Sequence, residues 1–148
     1  MFLNICGIQS PEEAKAAVDA GATAIGMLVG ITHEAEDKID EVRARDIAAG
    51  LPGTVEPVMV THLLNEGAIA GLAAFIRARA VQVHDDLPPA SMRVLAARLP
   101  GVRLIKAVHV TGGDAAARAR ALGHARLRRG VRRPAPGLED ARPSRRDR

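Results

Sequence analysis

The chain has 148 residues, 47% of them hydrophobic, with no Trp, no Tyr and two Phe (Phe2 and Phe75). That is enough for one domain with a core of Ala, Val, Leu and Ile, and it excludes a membrane-spanning helix, because no run approaches the roughly 18 apolar residues a span needs. The net charge of +4 is unevenly placed: residues 1–124 carry 12 Lys or Arg against 14 Asp or Glu, whereas residues 125–148 carry nine Arg against three acids.

The first apolar run, FLNIC (2–6), has no basic flank and soon meets Pro11-Glu12-Glu13, a pattern unlike a secretory leader. It holds the lone cysteine, Cys6, which can form no internal disulfide and suits a reducing cytoplasm. Ser10 then caps a helix opened by Pro11, with Glu12 and Glu13 in the favourable first turn. Ala14, Ala17 and Val18 share one face of that helix, and Gly21 stops it. The second run, TAIGMLV (23–29), leads through a polar loop, GITHEAEDKID, into the helical segment EVRARDIAAGLP. EPVMVTH (56–62) precedes NEGAIAGLAAFIRA, AVQVH (80–84) precedes PPASMRVLAARLP, and VRLIKAVHV (102–110) precedes GGDAAARARALG.

Five β-α units in strict alternation, with strands that are near-continuous apolar runs, predict a parallel sheet covered on both faces. Length alone also permits an open, doubly wound sheet. The polar residues favour a partial (β/α)8 barrel of about five units, because Cys6, His62, Gln82, His84, Lys106 and His109 gather at the carboxyl ends of successive strands, where barrel sites are built. Gln82 and His84, two apart, face the same side of their strand. His62, His84 and His109 together have the composition of a zinc site; Lys106 could serve as a Schiff-base lysine, but such a lysine more often neutralises a phosphate or a neighbouring acid. No carboxylate at matching spacing accompanies the histidines, and we assign no metal. A histidine in HEAEDKIDE reads by itself as a solvated loop residue.

The predicted domain is residues 1–124. The last 24 residues, ARLRRGVRRPAPGLEDARPSRRDR, are 17 parts Arg, Ala, Pro and Gly and contain no run of strand length. They read as a disordered tail or, better, as the product of a truncation or frameshift in GC-rich coding DNA. The competing reading is a catalytically dead β-α scaffold whose basic tail binds nucleic acid or an acidic partner.

The blocks ICGI followed by PEEAKAAVDAGATAIGMLV, then VQVH, then LIKAVHV, resemble the phosphoribosylanthranilate isomerase family of tryptophan biosynthesis, whose fold is a (β/α)8 barrel. The resemblance covers residues 3–124, and VGITHEAEDKI with VMVTHL looks like a variant branch. It implies an Amadori rearrangement of N-(5-phosphoribosyl)anthranilate, a phosphorylated sugar, in the cytoplasm and without metal or organic cofactor. A general acid protonates the ring oxygen and a base takes the proton from the adjacent carbon. By the resemblance the base is Cys6, which from its residues alone reads as a packing thiol. A thiol brought toward neutrality by positive charge would suit that task. The resemblance makes Gln82, His84 and His33 the substrate-contacting candidates, His33 lying in the loop where the family carries an arginine. Asn4 stands where the family usually has Lys, and Asp85 where it usually has Gly. The family's acid on strand six and its phosphate loops after strands seven and eight have no counterpart; Asp140 and Asp147 are not given the acid role. Five strands of eight, without that acid, predict an isomerase impaired by the loss of its C-terminal strands and leave two sheet edges open to self-association.

Overall fold

A computed structural model describes residues 2–109 and 114–124. The elements follow the predicted alternation: β1 (Asn4–Cys6), α1 (Pro11–Asp19), β2 (Ala24–Leu28), α2 (Glu41–Gly50), β3 (Glu56–Thr61), α3 (Glu66–Ile76), β4 (Ala80–Val83), α4 (Pro89–Arg98), β5 (Arg103–Lys106) and α5 (Ala115–His124). All pairings are parallel, and the strands lie in sequential order from β1 to β5. Within this sheet β1 and β5 are the edge strands. The tail from residue 125, with the predicted boundary there, and the Gly112-Gly113 pair lie outside the described residues.

Local signals explain the helix ends. Ser10 accepts a hydrogen bond from the Glu13 amide at 3.2 Å, while the Glu13 carboxylate accepts from the Gln9 amide at 2.8 Å, a reciprocal closure of orphan donors. Asp40 and Asn65 cap α2 and α3 in the same way, accepting from Arg43 N at 2.7 Å and Ala68 N at 2.9 Å. Gly21, at φ 99°, ends α1 as predicted, with its amide on Val18 O and that of Ala22 on Ala17 O.

The alternation of side chains along each strand sorts the sheet into two faces. Ile25, Met27, Met59, Val81 and Val83 point to one face and form a single cluster with Ala14 of α1, Ala44 and Ile47 of α2, Ile69, Ala73 and Ile76 of α3, and Met92 and Leu95 of α4. The other face carries a separate small cluster, Ala24, Val58, Val60 and Ala80, flanked by Leu28 and Ile105. The helices that join these clusters therefore cover one face only. A doubly wound sheet would place helices on both; sequential order with one-sided cover is the winding of a barrel wall.

Three strand ends differ from the sequence reading. The histidines lie just beyond the strands rather than within them, because β3, β4 and β5 end at Thr61, Val83 and Lys106. Lys106 is in register with Val83, whose side chain packs with the helices, so it belongs to the helix side of the wall and not to the interior. Its side chain is 6% exposed, with Nζ 3.8 Å from Asp86 Oδ1, which suits neutralisation of a neighbouring acid and not an interior Schiff base.

Candidate active site

The inner face rises in layers from the amino to the carboxyl ends of the strands. Cys6 is in register with Gly26 and, through it, with Val58 and Ala80; one layer higher come Leu28, Val60, Gln82 and Ile105. Gln82 thus lies on the inner face of the wall. Cys6 stands at the exposed end of β1, and its sulfur lies over Gly26: a Cβ there would be 2.8 Å from Sγ and 3.1 Å from the Cys6 Cα. Asn4, two residues before it on the same face, keeps its Oδ1 buried without a hydrogen-bond partner.

The thiol does not titrate in the direction anticipated. Partial burial pushes the Cys6 pKa up and the Asp37 carboxylate adds to that rise, while the hydrogen bond from the Gly7 backbone opposes both. Positive charge is not what governs this thiol. A raised pKa leaves less thiolate at neutral pH but makes that thiolate a stronger base.

Four of the chain's five histidines meet in a single row above the sheet. His33, from the loop after β2, meets His62 edge-on with ring centroids 4.7 Å apart; His62 lies 4.6 Å from His84, and His84 4.9 Å from His109. His62 Nδ1 donates to Asp85 Oδ1 at 2.9 Å, which puts the proton on Nδ1 and leaves Nε2 as the acceptor of the neutral ring. His109 Nε2 donates to the His84 carbonyl at 3.0 Å, since a carbonyl can only accept. The His84 pKa is lowered, first by burial and then by the His62 and His109 rings; Asp85 works against the shift and Lys106 with it. Among the described residues no group of three or more His, Cys, Asp or Glu is placed to hold a metal ion.

Of the candidates, the structure brings His33 and His84 into one row through His62, and sets Gln82 two residues below His84 on β4. Cys6 is not in that group. It sits three strands away, about 14 Å along the sheet at ~4.8 Å per strand. Three acids escaped the sequence reading. Asp85 pairs with His62 across two strand ends, Asp86 approaches Lys106, and Asp37 lies against Gly7, where a Cβ would stand 3.1 Å from its Oδ2. The change from the family's usual Gly to Asp85 was the one visible signal. Asp37 left none, because it looks like any other acid in a polar loop.

A parallel wall wound in one direction, with polar groups massed at its carboxyl ends, defines part of a (β/α)8-barrel enzyme fold. Known proteins narrow that class. No family model matches the chain. It is 37% identical over 112 residues to N-(5'-phosphoribosyl)anthranilate isomerase 2 of Methanosarcina mazei, covering 76% of this chain and 50% of that protein. It is 38% identical over 118 residues to the N-(5'-phosphoribosyl)anthranilate isomerase of Methanocella arvoryzae, covering 80% and 55%. The crystal structure of phosphoribosyl anthranilate isomerase from Thermotoga maritima superposes with a TM-score of 0.72 at 32% identity, over 80% of this chain and 56% of that one. A phosphoribosyl anthranilate isomerase in complex with reduced 1-(o-carboxyphenylamino)-1-deoxyribulose 5-phosphate gives the same TM-score and identity, over 80% and 59%. The chain is a homologue of the phosphoribosylanthranilate isomerase family, and it spans about half the length of the curated relatives it matches. Among the described residues no helix is long and apolar enough to cross a membrane.

Proposed function

We propose that this chain supplies the first five β-α units of a phosphoribosylanthranilate isomerase, an enzyme of tryptophan biosynthesis acting in the cytoplasm on N-(5'-phosphoribosyl)anthranilate. The observation that carries the reading is the strand-ending Cys6-Gly7 at the open end of the wall. It is combined with relatives at 37–38% identity that bear this activity in their names. In the assembled enzyme an acid from the remaining strands protonates the ring oxygen as the ring opens, and Cys6 takes the proton from the carbon next to the sugar's reacting carbon. The thiol needs no cofactor for this step; it needs exposure and basicity, and it stands exposed at the end of β1. Gln82 and His84 line the interior and the mouth. His33 closes over the mouth from the loop after β2. Residues 1–124 form the domain, and the open edges of β1 and β5 are where further strands pair.

The test supplies those strands. The chain is mixed with the separately expressed C-terminal half of the Thermotoga maritima enzyme, and conversion of N-(5'-phosphoribosyl)anthranilate is followed optically. Activity in the mixture above that of either part supports the reading. A folded, associated mixture without activity refutes it.

A further inference from the structure

The loop after β2, residues 29–40, is fastened at both ends of the mouth. Its far end is tied in two places: Lys38 bridges to Leu28 beside β2, with the Ile39 amide donating to the Leu28 carbonyl at 2.9 Å, and Gln9 Nε2 donates to the Glu36 carbonyl at 3.0 Å. Its near end places the His33 ring on His62. Between these ties lies Asp37, whose carboxylate faces the Cα of Gly7. Gly7 has φ 83°, and a Cβ there would meet Asp37 Oδ2 closely, at 3.1 Å, and Asp37 Cβ in ordinary contact at 3.6 Å. The backbone conformation favours glycine there, and its lack of a side chain lets the carboxylate approach closely.

We infer that Asp37 is a positioning residue for Cys6: the loop is strapped across the β1 and β2 ends so that one carboxylate is held against Gly7, the residue next to the thiol. The role rests on the reading of Cys6 as the base, but the arrangement exists whatever the chain catalyses. Cys6 packs on Gly26 of β2, which is uncharged, and receives the Gly7 amide; Asp37 is the charged group whose field acts on the sulfur. A carboxylate there disfavours the thiolate and makes it the more basic when formed. The thiol is therefore mostly protonated at neutral pH and resists stray alkylation and oxidation, while the smaller thiolate fraction, formed by loss of that proton to solvent, is the stronger base. Asp37 works through Cys6 and need not touch substrate.

The experiment measures alkylation of Cys6 by iodoacetamide, an uncharged reagent, against pH in the full chain and in Asp37→Asn, which keeps the side chain's shape. The expected result is a profile displaced to lower pH, with alkylation at pH 7 at least about twofold faster in low salt, as for removal of a nearby like charge. The gap narrows in 1 M salt, where the screening length is about 3 Å. Glu36→Gln, one residue away, leaves the profile in place. Should Asp37→Asn fail to fold, the unmodified chain still decides the matter, because added salt alone must speed its alkylation at pH 7. Superimposable profiles, or an acceleration that is equal at every pH and insensitive to salt, overturn the inference, since the latter reports access and not charge. None of these readouts requires isomerase activity, so failure of the proposed function and failure of this inference are separable.

Discussion

Gly26→Ala probes the one contact that fixes Cys6 in place. The new methyl would stand 2.8 Å from the sulfur, 3.1 Å from the Cys6 Cα and 3.2 Å from its Cβ. The sulfur can rotate away, but the Cα belongs to β1, so the strand itself must shift by a few tenths of an ångström. Forcing one methyl group into a packed site costs about 1–3 kcal/mol. For a domain slightly above 100 residues that lowers the melting temperature by about 4–12 °C, at roughly 4 °C per kcal/mol. Because β1 is an edge strand it can yield, and the low end of the range is expected. The assay is thermal unfolding followed by circular dichroism, in the wild-type background and in Cys6→Ala. Removing the sulfur first relieves the tightest contact, so the cost of Gly26→Ala should fall in the second background. An equal cost in both would show that the thiol does not rest on Gly26, and the description of the site would be wrong.

Two further outcomes follow from the same geometry. Gly7→Ala places a side chain at φ 83° against the Asp37 carboxylate; left-handed backbone costs roughly 1–2 kcal/mol for a non-glycine residue, and urea unfolding should show a loss of at least that size, while no loss would contradict the tight approach of the loop. His84, whose pKa is lowered in the fold from an ordinary 6.5, binds its proton more readily when unfolded. Stability therefore rises with pH across the window below about 6.5 and is lost as pH falls through it. The melting temperature of the wild type should drop between pH 7 and pH 5.5 more than that of His84→Asn, and parallel curves would sink the assignment.

Much of this was legible from the residues, for identifiable reasons. The strands are short apolar runs, each followed by a capped helix, and Ser10, Gly21 and the Gln82-x-His84 spacing act through contacts within a few residues of themselves. The sequential order of strands and the one-sided helix cover could be anticipated because the polar residues lie at the carboxyl ends. What was not legible depends on chain paths between elements. His33 reaches His62 through an irregular loop with no periodicity to betray it. The pairing of Asp85 with His62 spans two strand ends, and Asp37 arrives at Gly7 only because Gln9 and Leu28 hold the loop down. Lys106 was misplaced for a simpler cause. Its strand is four residues long, and a run read as nine residues gave no means of telling which face each side chain takes.

The central claim is that Cys6 accepts the proton. Its most direct test compares Cys6→Ser with the unaltered chain, each assembled with the C-terminal half of the Thermotoga maritima enzyme, by the rate of N-(5'-phosphoribosyl)anthranilate isomerisation. Serine keeps the shape and lacks the basicity, and loss of a general base costs about 10²–10⁴ in rate. A fall of at least a hundredfold in an assembly of unchanged stability is the predicted result. Equal rates would place the base elsewhere and contradict the account.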